Sequence, residues 1–312
     1  RLPFDMALTL AYGGSRGINL PERKDGNVAP GQIVNGKLFW TGSEPRMNPN
    51  WTTNEFFTAG GNSYYHSLQA GLNKRFGRGL QFQSSYTYSK LIDEAQGQTG
   101  GDNTGVPVDS VHRELDSGPA EFDLTHNWRV NTIYRLPKLA VTGTRDKLLN
   151  GWWLSGILSL QSGYPMPITL GSNRSRSKAT PGANYPDLVA GRTRHDIVSG
   201  VSTGCSGVAA GTPLGTPDLF FDPCAFSIQP AGFLGNLGRN SLRGPGFATV
   251  DFSIAKDTPL GFLGESGALE FRGEFFNVLN RANFSQPGGT VYPGVANVEV
   301  PLASAGRPTR TN

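Results

Sequence analysis

Glu270, Arg272 and Glu274 stand at alternate positions, interleaved with Leu269, Phe271 and Phe275. In an extended strand, side chains two residues apart point the same way, so this spacing gathers three charges on one face and the apolar residues on the other. Such a face could contact a partner domain or line a substrate path; the plainer reading is a solvated ladder pairing with neighbouring strands. Arg75 and Arg129 have the same status. Eight carboxylates fall between positions 93 and 123: Asp93, Glu94, Asp102, Asp109, Glu114, Asp116, Glu121 and Asp123. They could attract a cation or basic ligand, although their spacing does not match a calcium loop. A solvated loop comes first, then pairing with the basic stretch Arg174, Arg176, Lys178, Arg192 and Arg194, and calcium last. Cys205 and Cys224 are too few and wrongly spaced for zinc. A disulfide closing a loop of about 20 residues would contribute on the order of 3 kcal/mol. It would suit an oxidising periplasm or cell surface; two free loop thiols are the alternative.

Bond-making chemistry finds no foothold. The histidines His66, His112, His126 and His195 show neither metal-ligand spacing nor a companion nucleophile motif. The glycines at 232, 235, 238, 244 and 246 lack the lysine and Ser/Thr of a phosphate loop and suit a structured loop re-entering a sheet. The expectation is a non-enzyme with no metal and no cofactor.

The elements that must position these residues are strands. Glycine and proline supply 64 of 312 residues (42 and 22) while charged residues make only 17%, which favours turns and strands over helices. Basic residues number 28 against 24 acidic, with no dense Lys/Arg run, so nucleic acid is not an expected partner. Strict alternation runs through Ser63–Phe76, where Tyr64, His66, Leu68, Ala70, Leu72, Lys74 and Phe76 oppose Ser63, Tyr65, Ser67, Gln69, Gly71, Asn73 and Arg75. After Gly77-Arg78-Gly79 it resumes with Leu80, Phe82, Tyr86 and Tyr88, the mark of a tight hairpin. Phe4–Tyr12, Phe122–Tyr134, Trp152–Gln161, Val250–Ile254 and Leu269–Phe275 bring the expected strands to seven. The uncharged stretch Leu148–Asn173 is long enough for a spanning helix, but Asn150, Gly151, Gly163, Pro165 and Pro167 break it.

The links between these strands alternate in length: long (13–62), short (77–79), long (93–120), medium (136–150), very long (171–246), medium (257–266). A transmembrane barrel places long loops outside the cell and short turns in the periplasm. Lys74 and Lys90, on the apolar faces, sit near strand ends, where a charge costs little compared with the roughly 2–4 kcal/mol at the bilayer midplane. Tyr12, Tyr64, Phe76, Tyr88, Tyr134, Trp152 and Tyr164 also gather towards strand ends, as interfacial aromatics do. The fold class expected is all-β: an antiparallel transmembrane β-barrel segment of about seven strands, an open partial barrel with long extracellular loops.

Four stretches carry a resemblance to a known family: YYHSLQAGLNKRFGRGLQFQSSYTYSKLID (Tyr64–Asp93), FDLTHNWRVNTIYRLP (Phe122–Pro137), LGNLGRNSLRGPGFATVDFSIAK (Leu234–Lys256) and LEFRGEFFNVLNRANF (Leu269–Phe284). WWLSGILSLQSGYPMP (Trp152–Pro167) fits the same order. The chain resembles the C-terminal part of the barrel of TonB-dependent outer-membrane receptors, particularly the Oar-like group carrying a carboxypeptidase-regulatory-like domain. The resemblance implies a barrel of about 22 strands around a plug, with uptake driven by periplasmic TonB. Residues 1–312 would then be a partial barrel domain, the plug and final strand being absent, since the chain stops in the polar stretch Ala305–Asn312. Expected partners are outer-membrane lipid and lipopolysaccharide, the plug, TonB and an unidentified nutrient. A barrel-based adhesion or secretion-assisting protein is the competing reading, and a soluble carbohydrate-binding β protein a more distant one.

Overall fold

A computed structural model describes residues 3–94, 107–179, 184–260 and 267–311. Seven long strands form the wall: β1 (Met6–Asp25), β2 (Glu55–Gly77), β3 (Leu80–Asp93), β4 (His126–Arg135), β5 (Trp152–Gln161), β6 (Phe247–Pro259) and β7 (Ala268–Phe275). Each pairs antiparallel with its sequence neighbour, giving the spatial order β1 through β7, and a two-residue strand at Gly118–Pro119 adds to the end of β3. The sheet does not close on itself among the described residues: β1 pairs only with β2, and β7 only with β6. The β2–β3 turn is a two-residue reversal with both Arg78 and Gly79 at positive φ, the geometry that matches strand twist. A Cβ at Gly79 would strike the carbonyl oxygen of Arg135, so glycine is needed there for space as well as for φ.

Register turns the alternation into two faces. One row runs Leu8, Leu72, Ser84, Val130, Leu158, Val250 across six strands, and the next runs Leu10, Ala70, Tyr86, Trp128, Leu160, Ala248. The opposite face carries Thr9, Gly71, Ser85, Arg129, Ser159 and Thr249 in one row. Leu8, Leu10, Tyr12, Leu68, Trp128 and Phe271 all remain exposed on the apolar face. Among the described residues nothing covers these side chains, and hydrocarbon is the solvent that suits such a face. At its short-turn end, Lys74 reaches the Phe4 carbonyl with Nζ at 3.2 Å, and Lys256 reaches that of Asn150 at 2.7 Å. Both amines thus lie at the rim and not at mid-depth.

The hydrophobic core lies outside the wall. Ile168, Ile197, Phe221 and Val291 are fully buried and pack with Met166, Leu170, Phe226, Leu242 and Tyr292, all from segments that connect or follow the strands at the long-loop end. Short strands bind these segments together: Thr169–Leu170 with Thr290–Tyr292, Pro165–Met166 with Leu242–Arg243, and Asp187–Leu188 with Phe226–Ser227. This loop assembly is a small folded body of its own, built on the rim of the wall.

Several expected boundaries move, β6 among them, which runs Phe247–Pro259 where Val250–Ile254 was expected. The first link is not 13–62, because β1 continues to Asp25 and β2 begins at Glu55, with irregular register near Gly17 and Leu20. Polar residues replaced apolar alternation there, since a strand that has left the lipid no longer needs an apolar face. Spanning takes about 9–11 residues, so β1 (20 residues) and β2 (23) project well beyond the membrane. The fourth strand starts at His126 and not at Phe122, because residues 120–123 turn to bury Asp123.

Candidate functional site

The five charges singled out in the sequence all stand on the polar face, but they do not converge. Arg129 donates from Nε to Asn127 Oδ1 (3.2 Å) and from its terminal nitrogen to Gln161 Oε1 (3.0 Å), reaching across to β5. Arg272 takes its partners from its own strand: Glu270 Oε1 at 2.7 Å and Glu274 Oε1 at 3.6 Å. Its guanidinium also lies 5.1 Å from the Trp153 ring centroid. The ion pairs of this ladder thus run along β7, while the Trp153 contact reaches across the sheet to β5. Arg75 sits near the β2–β3 turn, its backbone N–H donating to the Asp5 carbonyl at 3.2 Å.

Above the polar face, the loop assembly is fastened to the rim by two arginines that sequence reasoning passed over. Arg239 is buried against Asp93 at the end of β3 and also donates to the Gly118 carbonyl (3.3 Å). Arg243 pairs with the carboxylate of Asp123 and donates at 3.1 Å to the carbonyls of both Asp123 and Gly163. The other oxygen of Asp123 accepts from the Leu91 N–H at 2.6 Å. The glycines around these arginines allow the approach: a Cβ on Gly163 would collide with the Gly244 carbonyl. The signal was present in LGRNSLRGPG, where two arginines sit among glycines, but nothing local marks them as partners of residues more than a hundred positions away.

Among the described residues the acidic stretch is not simply a solvated loop: Glu114 and Glu121 stay exposed, but Glu94, Asp93 and Asp123 pair with Arg113, Arg239 and Arg243. Asp93, Asp109, Asp116 and Asp123 are buried. Arg113 joins Glu22 (2.9 Å) to Glu94 (3.3 Å), tying the β1–β2 hairpin to the segment after β3. Asp109 holds His112 Nδ1 at 2.6 Å, and this hydrogen bond raises the imidazole pKa. Asp116 Oδ2 accepts from the Val108 N–H (2.8 Å), yet burial pushes its carboxyl up to about 7. Asp102 lies outside the described residues. Among the described residues no group of three or more His, Cys, Asp or Glu side chains is placed to hold a metal ion.

The basic stretch has other duties. Arg174 donates to the carbonyls of Gln229 (3.2 Å) and Val295 (3.4 Å), Arg176 to that of Thr41 (2.9 Å), and Lys178 to that of Glu44 (2.6 Å). Arg192 pairs at 2.8 Å with buried Asp222, which also caps the short turn carrying Cys224. Cys205 and Cys224 form a disulfide with Cα atoms 5.6 Å apart. Glu299 is buried enough for desolvation to favour its neutral form, but N–H groups of Ala296, Gly294 and Val295 outweigh this and lower its pKa. Four stretches distant in sequence are thus joined into one surface above the polar face. What such an arrangement offers is recognition by hydrogen bonds and charge.

A model of the outer membrane beta barrel domain matches residues 1–312. The chain belongs to the outer membrane β-barrel domain family. Its site is accordingly the bacterial outer membrane, with the apolar face against lipid. Among solved structures, this outer-membrane barrel domain is similar to the outer membrane transporter YddB from Escherichia coli. The identity is 10%, the TM-score 0.46, and the match covers 91% of this chain and 28% of that one. It is also similar to BauA, the ferric preacinetobactin receptor from Acinetobacter baumannii, at 12% identity and TM-score 0.39, covering 97% of this chain and 26% of that one. The chain thus spans roughly a quarter of the length of either structure. No curated protein sequence matches the chain.

Proposed function

We propose that this barrel domain supplies wall strands and the outer ligand-capturing surface of a TonB-dependent receptor, with uptake of a nutrient powered from the periplasm. The observation that carries the reading is the cross-linked loop assembly. Arg239 and Arg243 fix it to the rim above a face that presents Arg129, Glu270, Arg272 and Glu274. A surface held this firmly can keep binding groups in position, which lowers the ordering cost of capture. Its chemistry is binding, not bond-making. The plug and TonB act on the full-length protein, and Arg75, Arg129 and the β7 ladder are offered as lumen-facing contacts.

Depletion of small molecules from spent medium tests this. Cells with and without the gene, each with and without TonB, should differ in at least one compound whose removal requires both. If no compound behaves so, energy-coupled uptake is wrong. A barrel-based adhesin is the second reading, favoured by the exposed apolar residues Ile33, Met47, Trp51 and Val298 on the loops and Phe57 at the projecting end of β2. It predicts gene-dependent surface attachment that is indifferent to TonB.

A further inference from the structure

Where the wall meets the loop assembly, the apolar face opens into a cleft of about 310 Å³. Its floor is one register row: Tyr86, Trp128, Leu160 and Ala248, side by side on β3 to β6. His126, one step towards the loops, places Nδ1 2.8 Å from the Tyr86 hydroxyl. Arg281 closes the upper side. Its backbone is fixed by Asn277, whose Oδ1 accepts from the Arg281 N–H (3.1 Å) and whose Nδ2 donates to its carbonyl (2.9 Å). The Arg281 guanidinium has no hydrogen-bond or ion-pair partner among the described residues, and no carboxylate lines the cleft.

The setting narrows the ligand. The floor belongs to the face that hydrocarbon covers, and the cation sits at the long-loop rim, level with the outer headgroups. The same rim repeats this chemistry on β1 and β2: the Tyr12 hydroxyl lies 2.5 Å from His66 Nδ1, and Arg16 lies 5.1 Å from the Tyr64 ring centroid. A guanidinium facing a low-dielectric boundary without a counter-charge favours an anion with several acceptor oxygens, which phosphate supplies. The volume suits a phosphorylated headgroup with the first part of one acyl chain.

We propose that this cleft binds a phosphorylated lipid of the outer leaflet, its phosphate on Arg281 with His126 and Tyr86 beside it, and its chain laid along Trp128, Leu160 and Ala248. The site lies on the outside of the wall and is independent of any ligand taken through the lumen.

Titration of the whole encoded protein, extracted in detergent, with dihexanoyl phosphatidic acid below its micelle threshold tests this by native mass spectrometry. A saturable one-to-one adduct is expected. Dihexanoylglycerol, which has the same chains without phosphate, and inorganic phosphate should each bind at least about tenfold more weakly. Arg281→Gln should weaken the lipid adduct by a similar factor, Arg281→Lys should keep most of it, and Lys90→Gln, outside the cleft, should leave it unchanged. Equal binding by Arg281→Gln, or by the neutral lipid, or by inorganic phosphate alone, would overturn the assignment, as would adducts that never saturate.

Discussion

Arg239 and Asp93 are both buried, and each is the other's counter-charge at the point where the loop assembly meets β3. Arg239→Ala would leave Asp93 buried and unpaired, a loss of about 3–5 kcal/mol for such sites. Hydrogen exchange of the 237–243 amides, in vesicle-inserted protein, should accelerate accordingly; unchanged protection would show that the pair is dispensable. Asp116 gives a second, pH-dependent expectation. Its folded value of about 7 stands above the unfolded 3.8, chiefly through burial, with Val108 and Arg239 opposing and Asp109 and Glu22 adding to the rise. The folded state therefore holds the extra proton between about pH 4 and 7. The stability this contributes is complete at pH below 4 and is lost as pH rises through 7. His112, also raised, acts in the same direction at somewhat higher pH. Protease resistance of the loop assembly should thus fall from pH 5 to pH 8, and Asp116→Asn should flatten most of that slope. A slope unchanged in Asp116→Asn would assign it elsewhere.

At the scale of elements, the row Leu8, Leu72, Ser84, Val130, Leu158, Val250 defines the depth of the wall. An arginine at Val130, on the apolar face between the two rims, should cost roughly 2–4 kcal/mol, while one at Tyr64, near the outer rim, should cost about 0–1 kcal/mol. Urea unfolding from vesicles would separate the two, and equal costs would mean the apolar face is not against lipid. These strands were legible in sequence because a half-solvated wall writes its period of two into every element. Phe122, Asp123 and the reach of β1 past Tyr12 were misread because alternation ends where lipid ends, while hydrogen-bonded pairing does not. The loops were opaque for a different reason. Arg239 and Arg243 find Asp93 and Asp123 through tertiary folding alone, so no spacing rule could join them, and a buried acidic cluster reads locally like a solvated one. Proximity did expose one link: Cys205 and Cys224 lie 19 positions apart. Reducing their disulfide should cost the loop assembly about 3 kcal/mol, visible as faster proteolysis within 200–225 with the wall unaffected.

Taken as a whole molecule, the chain has two solvents and two kinds of order. The wall is a meander whose contacts are between sequence neighbours, stabilised by backbone pairing and by lipid. The loop assembly behaves as a water-side globule, with a core drawn from positions as far apart as Met166 and Tyr292. That difference has a consequence for manufacture. Thr290–Tyr292 pairs with Thr169–Leu170, so the globule lacks its last core residues until the final quarter of the sequence has arrived. Wall hairpins can form as they emerge, since they need only the adjoining strand, but the globule must wait through a loop closure of more than a hundred residues. Its apolar segments therefore stay uncovered, and open to wrong contacts, until Val291 arrives at its place in the core.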